Sequence, residues 1–93
     1  MEPMTKEIEF SQHALDQLAD RGTTQEEVIK AIQEGESLPA KKNRLAFRKN
    51  FPFADKWKGN FYEVKQVMPI VAEEATKLVV VTVYTYYFGG EGK

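Results

Sequence analysis

The spacing of hydrophobic and polar residues predicts a short strand and two helices in the first 35 residues. Side chains alternate over residues 6–10, as in a strand with one buried face. Ser11 suits the N-cap of a helix that we expect to end near Asp20, just before Gly22. Overlapping Thr-x-x-Glu capping boxes then begin a second helix, which Gly35 should end. The apolar stripe of the first helix consists of Ala14, Leu15 and Leu18.

The hydrophobic period changes to two after residue 43, which predicts a sheet. We expect a strand over 44–48, a loop over 50–60, a strand over 61–70, a turn over 73–76 and a strand over 78–88. The segment around Pro39 is expected to be a connection into this sheet. In the second of these strands we expect the inward side chains to be Tyr62, Val64, Met68 and Ile70.

These elements predict a single α+β domain over residues 1–88, followed by a flexible tail over 89–93. The element order is β-α-α-β-β-β, with both helices packed on one face of a twisted antiparallel sheet. The composition, with 42% hydrophobic and 29% charged residues, is typical of globular domains.

Composition also excludes several classes of function. The chain has no cysteine, which excludes a disulfide framework, a thiolate nucleophile and a zinc site that needs sulfur. No grouping of Asp, Glu and His has metal-ligand spacing, so we expect no metal and no cofactor. The first ten residues are too polar for a signal peptide, and no apolar run approaches the ~20 residues of a membrane helix. We therefore expect a cytoplasmic protein without membrane contact.

Charge is distributed unevenly along the chain, although the net charge is only −1. Residues 1–40 carry nine acidic and three basic side chains, whereas residues 41–65 carry eight basic and two acidic ones. A basic block of this kind suits a phosphate backbone. Alternatively, the two parts neutralise each other across the surface.

Two residues of the first helix could carry chemistry. His13 is the only histidine, and it shares a polar helical stripe with Arg21. A general base near a guanidinium suits RNA cleavage without a metal, since the base takes a 2′-hydroxyl proton and the cation stabilises the phosphate charge. The alternative is a solvated helix on which Arg21 pairs with an acid.

A second group of candidates lies in the predicted sheet. Strand alternation places Arg44, Arg48 and Lys65 on the face turned away from the helices. Tyr84 and Tyr87 are candidates for stacking on RNA bases. The alternative is an ordinary solvated face with residues of high strand propensity. The last strand would add to this face either Thr85 and Tyr87 or Tyr84 and Tyr86.

Several runs resemble the small family named domain of unknown function 4258. They are FSQHALDQLADRG at 10–22, QEEV at 25–28, YEVK at 62–65 and KLVVVTVY at 77–84. The family is thought to be related to the RelE-like and BrnT-like toxin folds, which are metal-independent endoribonucleases of toxin–antitoxin systems. The resemblance implies a RelE-like fold, an RNA substrate and an antitoxin-like partner. It implies that His13 and Arg21 are the active residues. It also implies phosphate contacts at Arg44, Arg48 and Lys65.

The leading hypothesis is therefore a RelE-like domain that binds or cleaves RNA. The rival hypothesis is a non-catalytic protein-interaction module on the same fold, bound through an edge of the sheet.

Overall fold

The structure is a computed structural model, and it describes residues 6–89 of the chain. Residues 90–93 of the expected tail lie outside the described residues. The elements follow one another as β1 (Glu7–Phe10), α1 (Gln12–Arg21), α2 (Gln25–Glu34), β2 (Glu36–Ala40), β3 (Arg44–Trp57), β4 (Asn60–Glu73) and β5 (Lys77–Phe88), with a short 3₁₀ turn at Lys41–Asn43.

The five strands form one sheet in the order β1-β5-β4-β3-β2. Strand β1 runs parallel to β5, and the other neighbours are antiparallel. The predicted α+β class is confirmed, but the sheet is mixed rather than antiparallel. It also has five strands instead of the four expected. Neither helix is long and apolar enough to cross a membrane.

Strand β2 occupies the segment that we expected to be a connection. It pairs antiparallel with the beginning of β3, and its Pro39 lies opposite Leu45. An edge strand can accept proline at a position whose N–H would point to solvent, because no hydrogen bond of the sheet is then lost.

Strands β3 and β4 form a hairpin that extends through the expected loop over 50–60. Its two-residue turn, Lys58 and Gly59, has φ angles of 52° and 89°. Positive φ at both central positions is the requirement of a type I′ turn, which matches the twist of the flanking strands. A bulge between Pro52 and Asp55 shifts the register of β3 against β4 within this hairpin.

The helix ends follow the capping signals. Ser11 Oγ accepts a hydrogen bond from the Ala14 amide at 3.1 Å, and Thr24 Oγ1 accepts one from the Glu27 amide at 3.2 Å. Gly22 ends α1 in the left-handed region at φ 73°. These caps confirm the predicted helices to within about one residue.

The core lies between the helices and one face of the sheet. Helix α1 contributes Ala14, and the buried cluster consists of Ala14, Val28, Ala31, Ile32, Val67, Val71, Val80 and Val83. Because Val67 and Val71 face the helices, the alternation that we expected along β4 is inverted. Met68 and Ile70 lie on the opposite face, which has no helix over it in the described part of the chain.

Candidate nucleic-acid interface

The sheet face turned away from the helices, here called the open face, exposes aromatic side chains in its β5 row. Tyr84, Tyr86 and Phe88 are 40%, 43% and 43% exposed. The rings of Tyr84 and Tyr86 stack on each other, with centroids 6.5 Å apart and planes inclined by 24°. Large exposed rings in one row are unusual on a surface that contacts only water.

A groove crosses the open face between β2 and Tyr84. Its floor is formed by Ala46, Met68 and Ile70, and its outer wall by Leu38 and Pro39 of β2. The floor side chains are apolar, since β4 carries hydrophobic residues on both faces along this stretch. A single-layer sheet with an apolar second face is typical of a binding surface.

Three cations lie along the rim of this groove: Lys41, Lys42 and Arg44. Within residues 6–89 none of them takes part in an ion pair. They therefore offer positive charge to an anionic partner. The predicted phosphate contact at Arg44 thus lies on the open face, as expected from strand alternation.

Arg48 lies on the same strand but has an acidic partner. Its Nε donates to Glu36 Oε1 at 2.9 Å, across the β2–β3 pair. The guanidinium side chain is still 40% exposed, so this pair is a weakly stabilising surface contact. Arg48 is accordingly a poorer candidate for a phosphate than Arg44.

Lys65 is not on the open face, and this corrects the expectation. It is only 6% exposed, and its Nζ donates to Glu27 Oε1 at 2.7 Å and to the Gly22 carbonyl at 2.8 Å. The ammonium also lies 5.5 Å from the centre of the Phe53 ring. The inverted alternation of β4 turns this side chain toward the helices, where it binds the turn between α1 and α2.

Tyr87 also lies on the helix side, together with Thr85. Its hydroxyl donates to the Arg21 carbonyl at 2.7 Å, and its ring stacks on Trp57 at 5.0 Å. Burial raises the pKa of the Tyr87 hydroxyl. Of the two sets that the last strand could add to the open face, the structure places Tyr84 and Tyr86 there. The expected stacking pair Tyr84 and Tyr87 is separated by the sheet.

The α1 candidates lie on the helix side as well. Arg21 Nε donates to the Val83 carbonyl at 3.2 Å, and Gln17 Oε1 accepts from the Val83 amide at 2.8 Å. Strand β1 pairs with β5 only as far as Val80, so these two side chains satisfy the strand edge beyond it. His13 is exposed on the same helix, and no hydrogen bond within the described residues involves it. The structure does not bring His13 and Arg21 together with Arg44.

Sequence reasoning missed the groove itself. The sequence predicts Lys41 and Lys42 only as part of a basic block, and it predicts a connection where β2 forms the outer wall of the groove. One signal was present: every residue from Val67 to Ala72 is apolar, which indicates a strand with hydrophobic side chains on both faces.

No protein-family model matches the chain, and none of the curated proteins or solved structures matches it. Within residues 6–89, no group of three or more His, Asp or Glu side chains could hold a metal ion.

Proposed function

We propose that this chain is a small RelE-like domain that binds single-stranded RNA on its open face. The observation that carries the proposal is the exposed Tyr84–Tyr86 stack beside a groove rimmed by Lys41, Lys42 and Arg44. Unpaired bases stack on aromatic rings, and each such contact is worth about 1–3 kcal/mol. The cations of the rim then bind the phosphates between the bases.

The resemblance of residues 10–22 to the family named above supports a RelE-like assignment and the toxin type. With it come the cytoplasm as the site of action and an antitoxin-like protein as a partner, and both are parts of the proposal. Metal-independent cleavage by His13 and Arg21 stays a prediction. The contact of the Arg21 guanidinium with the Val83 carbonyl already gives that residue a structural role.

A second candidate function is binding of a protein partner without catalysis. The apolar floor of the groove favours it, since Met68 and Ile70 could contact apolar side chains of another protein. A partner strand could also pair with the outer edge of β2, which is the last strand of the sheet.

Salt dependence of RNA binding tests the proposal. Affinity for a fluorescently labelled single-stranded RNA should fall steeply as salt rises, because bound phosphates release counterions. Arg44→Gln should weaken binding and reduce the slope of log K against log salt by about 0.7, the value for one single-strand phosphate contact.

The matched control is Lys30→Gln, which removes one positive charge from the exposed surface of α2. It should leave the slope unchanged, because α2 packs on the other face of the sheet. Absence of binding at low salt would refute the proposal. Equal slopes for the two variants would show that the rim does not contact phosphate.

A further inference from the structure

We infer that the groove between β2 and Tyr84 is a subsite for one unpaired nucleobase of the bound RNA. This inference rests on the proposed function and adds to it the part of the nucleotide that the groove holds. It has three supports: the shape and polarity of the groove, two hydroxyl groups in its lining, and the charge of its rim.

The shape of the groove fits a flat, apolar object. Ala46 is the smallest side chain of the floor and leaves space above β3, while Leu38 stands at the outer side. The volume of the groove is about 550 Å³, which lies within the usual range of small-ligand sites. A base that enters the groove from the bound RNA would place one face toward Tyr84, which already stacks on Tyr86. The base would thus add a further ring to an existing stack.

Two hydroxyl groups in the lining, those of Thr82 and Tyr84, could bind the edge of a base. Within the described residues no side-chain hydrogen bond involves either hydroxyl. A hydroxyl can both donate and accept, so it can pair with either kind of group on a base edge. A few polar groups in an otherwise apolar site are what fixes the orientation of a ligand.

The rim supplies the charge that the nucleotide needs. Lys41, Lys42 and Arg44 lie along it, beside the turn that joins β2 to β3. Phosphates on either side of the inserted base would lie near Lys42 and Arg44, whereas a second copy of this chain would bring like charges together. An acidic peptide would match the charge of the rim, but its carboxylates have no flat ring that could extend the Tyr84–Tyr86 stack.

Filling the groove tests the inference without removing a charge. Ala46→Leu adds apolar volume to the floor, and we expect affinity for a labelled single-stranded RNA of about eight nucleotides to fall about tenfold, the loss of one base contact. The matched control is Ala72→Leu, since Ala72 follows the core residue Val71 on β4 and lies on the open face outside the groove. This control should bind RNA like the wild type.

A second arm changes the RNA instead of the protein. An oligonucleotide of the same length without its bases keeps every phosphate, so it should keep the salt slope but bind the wild type at least tenfold more weakly. Ala46→Leu should not weaken binding of this abasic chain any further, because no base is left to exclude.

The outcomes separate the inference from the proposed function. Wild-type binding that is equal for intact and abasic RNA would overturn the base subsite while the phosphate contacts of the rim survive. An equal loss for both RNAs in Ala46→Leu would overturn it as well. If the wild type binds neither RNA, the proposed function fails and the inference fails with it. Binding of a labelled acidic peptide in that case would assign the groove to a protein. Should Ala46→Leu fail to fold, the smaller change Ala46→Val takes its place in both comparisons.

Discussion

Replacing Lys65 with methionine tests the most unexpected contact in the structure. The basic block read from the sequence places Lys65 among solvated phosphate contacts, whereas the structure buries it against the α1–α2 turn. Methionine keeps an unbranched side chain of similar length, so most of the packing should remain. The change removes the charge and two hydrogen bonds, to Glu27 and to the Gly22 carbonyl.

The expected loss of stability follows from what remains after the change. Breaking a buried ion pair by removing one partner costs about 3–5 kcal/mol, because the other charge is left uncompensated. Here the Glu27 side chain is 27% exposed and still accepts a hydrogen bond from Thr23 Oγ1 at 2.8 Å. Partial hydration therefore lowers the cost, and we expect Lys65→Met to destabilise the fold by about 2–3 kcal/mol.

Thermal and urea unfolding followed by circular dichroism measure this loss. In a domain of this size 1 kcal/mol shifts Tm by about 4–8 °C, so Tm should fall by roughly 10–20 °C. The matched control is Lys49→Met, because Lys49 is 30% exposed and its nearest acid, Glu34, is 3.5 Å away. That variant should lose less than about 1 kcal/mol.

A second substitution tests the cause of the loss. Adding Glu27→Gln to Lys65→Met removes the uncompensated carboxylate, so the double variant should lose less than the two single losses combined. If Lys65→Met changes stability by less than about 0.5 kcal/mol, as surface substitutions do, the side chain is solvated and the placement of β4 on the helices is refuted.

Three further changes probe the helix side of the sheet. Gln17→Leu leaves the Val83 amide without its acceptor, so unfolding free energy should fall by about 1–3 kcal/mol and that amide should exchange faster with deuterium. Tyr87→Phe should cost about 0.5–1.5 kcal/mol, and Tyr86→Phe almost nothing, in urea unfolding. Burial raises the pKa of Tyr87 above its unfolded value near 10. The protonated hydroxyl of the wild type therefore stabilises the fold fully below pH 10, and this stabilisation is lost as pH rises through the folded pKa. Tyr87→Phe should lack this alkaline loss. His13→Ala should change stability by less than about 0.5 kcal/mol, and an unchanged RNA cleavage rate would refute a catalytic His13.

The helices were predictable because their signals are local. These signals depend on residues three or four positions apart. The Ser11 cap and the left-handed Gly22 lie where the pattern put them, and of the two overlapping capping boxes the structure uses the one at Thr24. The strong final strand was equally readable, since Lys77–Phe88 is rich in β-branched and aromatic residues, which have high strand propensity.

Local pattern could not show which side chains of β4 face the helices. Residues 67–72 are apolar at every position, so alternation assigns no face there. What decides the face of Lys65 is Glu27, which lies 38 positions away in the chain. A register shift between Ile70 and Val71 on β4 also lets Val80 and Val83 both reach the core from β5, although strict alternation puts them on opposite faces.

The edge strand β2 depends on its pairing with β3, and the groove it borders brings β2 together with residues of β4 and β5. Glu36–Ala40 contains a proline and too few apolar residues to predict a strand, and it is extended because β3 offers it a free edge. Without β2 there is no wall opposite Tyr84. Of the candidate site, only Arg44 and Tyr84 were therefore predicted where the structure has them. Tyr86 was one of two open alternatives, Tyr87 lies on the helix side, and the shape of the groove was missed.

Methyl NMR during titration with single-stranded RNA tests the central claim most directly. The methyl groups of Met68 and Ile70 lie on the open face, whereas those of Val28 and Ile32 lie between the helices and the sheet. Binding on the open face should shift the first pair and leave the second pair unchanged. Shifts confined to the helix side, at the methyl groups of Val28 and Ile32, would contradict the account.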